Sequence, residues 1–308
     1  MVLTDTCVWA HGGSPHPFSG TLPVFLIIGL VVVFGSIAGG YVMHHGQLGV
    51  LMQVNEFIII GGAGIGSMVV GNPPGVIKRV LSGCVGLLKP DPFGRKAYEE
   101  LLQVLYQILQ KARKDGLVGI EPHIEEPEKS DIFKKFPGFL HHHHAVSLLC
   151  DTMKVLLTGT VEDHHLAEVI DTDLEQHHHE ALSASSALMK VGDAMPGFGI
   201  VAAVLGVIIT MGSIGGAASE IGEKVAAALV GTFVGILLSY GVLGPMSGAM
   251  ETRVGAEHAY LLCIKAALLA FARGDSPMSA VEFARRNIAP EFRPSFAELE
   301  KLTKKEGP

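Results

Sequence analysis

Long apolar stretches alternate with polar stretches along the chain, and four apolar stretches are candidates to cross a bilayer. They contain no Asp, Glu, Lys, Arg or His and comprise residues 22–43, 57–71, 195–218 and 225–250. About 20 helical residues span the hydrocarbon layer, because each residue adds about 1.5 Å. The second stretch is short, and we extend it upstream through Asn55 and Glu56, placing this polar start near one membrane face. The pattern predicts four transmembrane helices.

The polar stretches between and after these spans also show helical patterns. In residues 72–194 a first amphipathic pattern is made by Leu101, Leu102, Leu105, Ile108 and Leu109, with a stop signal at Gly116. A second helix is expected over about residues 141–157, ending at Gly159. A third follows a capping box of Thr160 and Asp163. The tail has a further helical stretch at residues 279–287. No strand pattern competes, so the sequence predicts an all-α fold.

Basic residues near the ends of the spans predict the orientation in the membrane. The basic residues concerned are Lys78, Arg79, Lys190 and Arg253. Lys and Arg collect on the cytoplasmic side. We therefore expect a helical cytoplasmic domain at residues 72–194 between the span pairs 22–71 and 195–250, and a cytoplasmic tail at residues 251–308. With four spans the N-terminus is cytoplasmic too. Its extension, residues 1–21, has no role that the sequence reveals.

Composition supports the membrane assignment and excludes several function classes. Charged residues make up 17% of the chain, against about 25% in soluble domains, and 48% of its residues are hydrophobic. The net charge of -7 gives no case for nucleic acid. The four cysteines are far apart and form no CxxC pair, so neither a disulfide framework nor a zinc site is supported. No nucleophile–base constellation or phosphate-binding glycine loop appears, and we predict no enzymatic activity.

The predicted spans contain small and hydroxyl residues in place of charged ones. An ion carrier usually needs an intramembrane ionisable group, so either this protein moves no ions or a partner supplies that group. Glycines at four-residue spacing let helices pack closely, either within one subunit or around a partner helix. Such glycines include Gly62 with Gly66 and Gly231 with Gly235. The hydroxyls of Thr232 and Thr210 either bond to their own helix or face a pore.

Several motifs, in order along the chain, resemble those of the flagellar motor stator A-subunit (MotA) family. Residues 228–245 read ALVGTFVGILLSYGVLGP, residues 191–206 read VGDAMPGFGIVAAVLG, and residues 61–73 read GGAGIGSMVVGNP. In the tail, AVEFARR and RPSFAELE also match. The resemblance covers about residues 24–302.

This resemblance implies a subunit of an ion-driven motor in the bacterial inner membrane. Five A subunits would surround a dimer of B subunits, each with one membrane helix carrying an aspartate and a peptidoglycan-binding domain. Ion flow through that aspartate would turn the ring against the switch-complex protein of the flagellar rotor. The aspartate would be the ionisable group that the spans lack. No cofactor is implied other than the transported ion.

The resemblance also assigns roles to individual residues. Pro196 and Pro245 match the two prolines that couple ion passage to cytoplasmic motion. Arg113 and Glu121 match the charged pair that contacts the rotor. Sodium-type relatives tend to carry a threonine at the position of Ala203. The missing hydroxyl removes an oxygen ligand that sodium needs, which favours protons.

Two other functions remain open from the sequence. One is a related energising subunit for envelope transport, of the ExbB/TolQ type, although such subunits typically have three spans. The other is a metal-responsive membrane protein built around the 15 histidines, which include runs at residues 141–144 and 177–179. His141 and His144 have a helical spacing that suits a transition metal. No matching Cys or carboxylate arrangement completes a site, so we predict no metal site and interpret these histidines as solvated.

Overall fold

The computed structural model describes residues 22–159, 163–212, 215 and 217–304, and every regular element in these ranges is helical. The α-helices are α1 (Leu22–Met43), α2 (Leu48–Leu51), α3 (Val54–Gly71), α4 (Pro74–Gly86), α5 (Arg95–Asp115), α6 (Glu121–Glu125), α7 (Pro137–Leu140), α8 (His143–Leu157), α9 (Asp163–Met211), α10 (Ala218–Leu238), α11 (Gly244–Ala272), α12 (Pro277–Asn287) and α13 (Phe296–Lys304). The N-terminal extension and the Thr160–Asp163 capping box lie outside the residues and side chains that are described.

Four helical stretches of the described residues are long and apolar enough to cross a membrane. They are Val24–Met43, Leu48–Gly71, His164–Met211 and Ala218–Ala272. In the membrane part, α9 packs along α10, and α3 packs against both. Helix α1 makes few contacts, mainly with α2 and with the segment after α10. The all-α fold with four spans and an intervening helical region is therefore confirmed.

Helix α9 is longer than the sequence indicated. We expected a cytoplasmic helix and then a separate third span, but one helix of 49 residues contains both. It measures about 74 Å at 1.5 Å per residue, more than twice the hydrocarbon thickness. Its interior proline, Pro196, removes one backbone hydrogen bond without ending the helix. Span three is thus directly continuous with the polar helical segment that precedes it.

The fourth span also continues into the helical region outside the membrane, through a change in helix type. Helix α10 passes into a π-helix at Ser239–Leu243, and α11 follows with Pro245 in its first turn. Proline has no N–H, and its ring clashes with the carbonyl four residues earlier in a regular α-helix. The wider turn before Pro245 accommodates this clash, and π-turns of this kind are frequent at functional sites.

The largest apolar core lies outside the predicted spans and is built on α5, α8, α11 and α12. The five apolar residues that predicted α5 are all fully buried in this core. Gly116 ends α5 with φ of 78°, and Gly159 follows α8 with φ of 69°, so both adopt the left-handed backbone that glycine tolerates. Helix α12, which the sequence predicted in the tail, begins after Ser276 as its N-cap. The Ser276 side chain accepts a hydrogen bond from the N–H of Ser279.

A candidate ion path and a rotor-facing surface

Spans three and four touch through the backbone of three glycines. A Cβ built on Gly199 would lie 2.7 Å from the carbonyl oxygen of Gly231 and 3.2 Å from Cα of Gly235. A Cβ on Gly235 would lie 2.6 Å from the carbonyl oxygen of Met195. Real Cβ atoms essentially never come closer than 3.0 Å to another heavy atom. Only glycine therefore permits this helix separation, and Gly199 is a packing residue that the four-residue spacing did not reveal.

Gly62 and Gly66 differ from the other predicted packing glycines. Both are exposed on α3, and a Cβ on either would meet no atom within 4 Å among the described residues. Gly231 and Gly235 lie inside the subunit, while Gly62 and Gly66 leave a bare strip on its outer face. Gly231 and Gly235 are therefore packing residues within the subunit, whereas a contact of Gly62 and Gly66 with a partner helix stays a prediction.

Glu56 lies beside the centre of the third span. Its side chain is 7% exposed, and its Oε2 is buried without a hydrogen-bond partner in the described part of the chain. A Cβ on Gly231 would lie 2.6 Å from this oxygen and 3.3 Å from the backbone nitrogen of Ala203. Ala203 marks the centre of the third span, because it is eight residues from both Met195 and Met211, the ends of the apolar part of α9.

This position corrects two expectations from the sequence. We placed Glu56 near a membrane face and treated the spans as free of ionisable groups, but the second candidate span, Leu48–Gly71, includes Glu56. The reason is that α3 packs against both α9 and α10, which brings Glu56 in its first turn against Gly231. In the sequence, the only sign of this buried carboxyl group was a single glutamate between two apolar runs.

The two threonines of the predicted path have different surroundings. Thr210 is fully buried, and its hydroxyl donates to the carbonyl oxygen of Gly206 at 2.8 Å, within its own helix. Thr232 is half-buried on α10, and its hydroxyl makes no hydrogen bond within the described residues. Its Cα would lie 3.1 Å from a Cβ on Gly199. The hydroxyl of Thr232 is therefore available to water or to a partner, and that of Thr210 is occupied.

The structure brings the turns before the two prolines together. Gly192 lies one turn before Pro196, and a Cβ on it would be 3.3 Å from Cβ of Leu243 and 3.8 Å from the nitrogen of Gly244. Leu243 ends the π-helix just before Pro245. A change in helix bend at either proline would therefore displace the contact between Gly192 and Leu243 and so act on the other helix.

The predicted rotor-contact residues lie at the two ends of one exposed turn. Arg113 is in the last turn of α5 and Glu121 is the first residue of α6, and both side chains are exposed. Neither forms an ion pair with a described residue, whereas nearby Lys111 and Asp115 are paired at 3.0 Å. Between them, Val118 is 73% exposed. With the neighbouring exposed Lys114, this surface carries two positive charges, the negative charge of Glu121 and an apolar side chain.

Comparison with known proteins places the chain in a family. Residues 27–116 match the family model "Motility protein A N-terminal", and residues 143–261 match that of the MotA/TolQ/ExbB proton channel family. The chain is 37% identical over 277 residues to motility protein A of Salmonella typhimurium, covering 90% of this chain and 94% of the relative. The chain belongs to the motility protein A family. The predicted resemblance is thereby confirmed.

Other relatives agree with this membership. Motility protein A of Escherichia coli is also 37% identical over 277 residues, with the same coverage. Two solved structures share the fold: that of C. jejuni MotAB (TM-score 0.70, 17% identity, covering 87% of this chain and 98% of that one) and that of the flagellar MotAB stator complex from Bacillus subtilis (TM-score 0.66, 20% identity, 89% and 98%). With its four apolar helices, this family member is a multi-pass inner-membrane protein.

Proposed function

We propose that this chain is the A subunit of a proton-driven flagellar motor stator, which forms its ion channel with a B subunit and converts ion flow into torque. The observation that carries the proposal is the identity of 37% to motility protein A along nearly the whole length of both chains. An envelope-transport subunit of the ExbB/TolQ type is the alternative, and four candidate spans with an exposed Arg113–Glu121 turn favour the motor.

The proposed assembly is a ring of five A subunits around two B subunits. Two surfaces of the isolated chain support contacts with other subunits. Helix α1 has no buried residue in its apolar window, and Gly62 and Gly66 leave a bare strip on α3. Small residues of this kind let another helix approach closely in a membrane. The large domain and both termini are assigned to the cytoplasm from the distribution of basic residues.

Protons would pass between the B-subunit aspartate and the wall formed by spans three and four. Glu56, which α3 of span two holds against this wall, and Thr232 on α10 are polar groups with no hydrogen-bond partner among the described residues. An intramembrane carboxyl group is costly to keep, and such groups mark ion pathways in membrane proteins. Ala203, beside Glu56, offers no side-chain oxygen as a sodium ligand. A carboxyl group and a hydroxyl group can exchange protons through water, and the missing side-chain oxygen at Ala203 is the feature that favours protons over sodium.

Torque would reach the rotor through Arg113 and Glu121. Their charges are unpaired within the described chain, so complementary charges on the rotor can bind them briefly and repeatedly. Val118 adds an apolar contact between them. The continuous helices α9 and α11 run from the spans into the cytoplasmic core, so movement of either span would be transmitted to that core.

The proposal is tested in flagellated cells that lack their own A subunit. Co-expression of this chain with its B subunit should restore swimming, and a protonophore should stop it while removal of sodium should not. Arg113→Glu or Glu121→Lys should cripple motility, with partial rescue by opposite changes on the rotor.

Two controls make this test specific. Glu126→Lys is a matched control for the charge reversals, because Glu126 is exposed but lies beyond α6 and pairs with Lys129 at 2.9 Å. Wild-type swimming by the double variant Arg113→Glu, Glu121→Lys would contradict the contact role. Swimming that follows the sodium gradient would contradict the proposed ion.

A further inference from the structure

Three side chains from separate helices meet in the cytoplasmic part of the protein. His144 lies in the first turn of α8, His177 on α9 and Glu257 on α11. Their candidate ligand atoms all lie within 4.8 Å of one another. His177 and Glu257 are half-buried, and His144 is exposed. The sequence suggested a pair from one helix, His141 and His144, but the structure instead joins one histidine from each run with a carboxylate about 80 residues further along.

His177 and Glu257 form an ion pair that is longer than a strong hydrogen bond. Nε2 of His177 is buried and makes no hydrogen bond of good geometry within the described chain, and it lies 3.4 Å from Oε1 of Glu257. A good N–H···O bond has a donor–acceptor distance of about 2.7–3.2 Å. Two ligands at about 2.0–2.1 Å from a tetrahedral metal lie about 3.3–3.4 Å apart. The observed distance therefore fits two ligands of one metal ion.

We propose that His144, His177 and Glu257 bind a divalent transition-metal ion, with Zn²⁺ the best fit. Two imidazoles and one carboxylate leave a fourth tetrahedral position for water. The ligand atom of His144 must come closer by up to about 1.4 Å (4.8 − 3.4) to complete the geometry, and its exposure leaves the ring room to do so. Its ring centroid is already 4.0 Å from that of His177.

The surroundings of the cluster allow a cation to enter. A cavity of about 300 Å³ opens beside it and is lined by His144 and His177 together with the carboxylates of Asp151 and Asp173. These carboxylates would attract a cation. Next to the cluster, the rings of His178 and His258 are 4.4 Å apart, and Nδ1 of each is buried without a hydrogen-bond partner among described residues. This second pair is the main competitor for the metal.

The position of the cluster gives metal binding a mechanical consequence. Helices α9 and α11 continue into the cytoplasm from spans three and four, and α8 belongs to the cytoplasmic core. A metal bound to all three would hold these helices at fixed separations. If the chain works as a stator subunit, an ion here would restrain the movement that drives the rotor.

Binding is tested on the purified full-length chain, which requires no B subunit, rotor or ion gradient. A preparation without a polyhistidine tag, in detergent, is titrated with Zn²⁺ against a chromophoric chelator and with Co²⁺ by visible absorption. We expect one saturable site in the micromolar range or tighter, with the intense bands of tetrahedral Co²⁺. His177→Gln, Glu257→Gln and His144→Gln should each weaken binding by about tenfold or more.

Matched variants separate this site from its neighbours. His179→Gln changes an exposed histidine on the same helix and should leave affinity unchanged. Equal far-UV circular dichroism and gel-filtration profiles establish that each variant is folded. The proposal is overturned if the wild type shows no saturable binding below millimolar Zn²⁺. It is also overturned if the variant that combines His144→Gln, His177→Gln and Glu257→Gln binds like the wild type. Loss of binding only with His178→Gln and His258→Gln would also overturn it.

Discussion

Replacing Gly235 by alanine tests whether spans three and four depend on direct backbone contact. The added Cβ would lie 2.6 Å from the carbonyl oxygen of Met195 and 3.0 Å from Cα of Gly199. Ordinary van der Waals contacts begin at 3.4 Å. The two helices would have to separate locally by about 0.8 Å (3.4 − 2.6), because both neighbours are backbone atoms and no side chain can rotate away.

The expected cost follows from two opposing effects. Overpacking of a well-packed core typically costs about 1–3 kcal/mol. Alanine is favoured over glycine within a helix by about 0.8–1.0 kcal/mol, which offsets part of this cost. Because the close neighbours are backbone atoms, the upper part of this range, about 2–3 kcal/mol, applies, and we therefore expect Gly235→Ala to destabilise the subunit by about 1–2 kcal/mol (2 − 1 to 3 − 1). The displaced α10 also carries Thr232, so torque should fall as well.

The assay combines stability and motility. The midpoint of thermal unfolding of the purified chain in detergent should fall by several degrees, and cells expressing the variant with its B subunit should rotate more slowly under load. Gly66→Ala is the matched control, because it is also in a span but its Cβ would meet nothing within 4 Å. This control should leave the stability of the isolated subunit unchanged or slightly raised.

One result would refute the packing argument. If Gly235→Ala were as stable as Gly66→Ala and the wild type, the helices could not be in the backbone contact described. A loss of motility by Gly66→Ala without loss of subunit stability would instead locate a contact with another subunit on the bare strip of α3.

Further predictions concern the proton path and the cysteines. Glu56→Gln keeps the side-chain size but cannot exchange a proton, so torque should drop sharply while the complex with the B subunit still assembles in a pull-down; wild-type speed would remove Glu56 from the path. The purified A subunit alone should not leak protons in liposomes, because the B-subunit aspartate is missing, and a leak would contradict this. Burial raises the pKa of Cys150 and of Cys263 to about 12, so neither thiol should react with iodoacetamide at pH 8 until the chain unfolds. Peptide mapping by mass spectrometry would show any early modification of either thiol, and half-buried Cys84 provides the comparison.

The order of apolar and polar stretches was sufficient to predict the four spans and the all-α fold. A bilayer allows few spanning structures, so length and hydropathy carry most of the information. The first helix begins and ends where the sequence predicted, at Leu22 and Met43. The buried face of α5 was equally readable, because its apolar residues repeat with the helical period.

Helix ends and neighbours from distant parts of the chain depended on the tertiary structure. Local sequence did not show that α9 would continue for 49 residues, since a proline within a helix usually signals an end. The burial of Glu56 depends on the packing of α3 against α9 and α10. In the same way, His144 and Glu257 are 113 residues apart (144 to 257), and only the packing of α8 and α9 against α11 brings the three side chains of this cluster together. Sequence periodicity reports which face of one helix is apolar, whereas a site made by several helices is decided by how those faces pack.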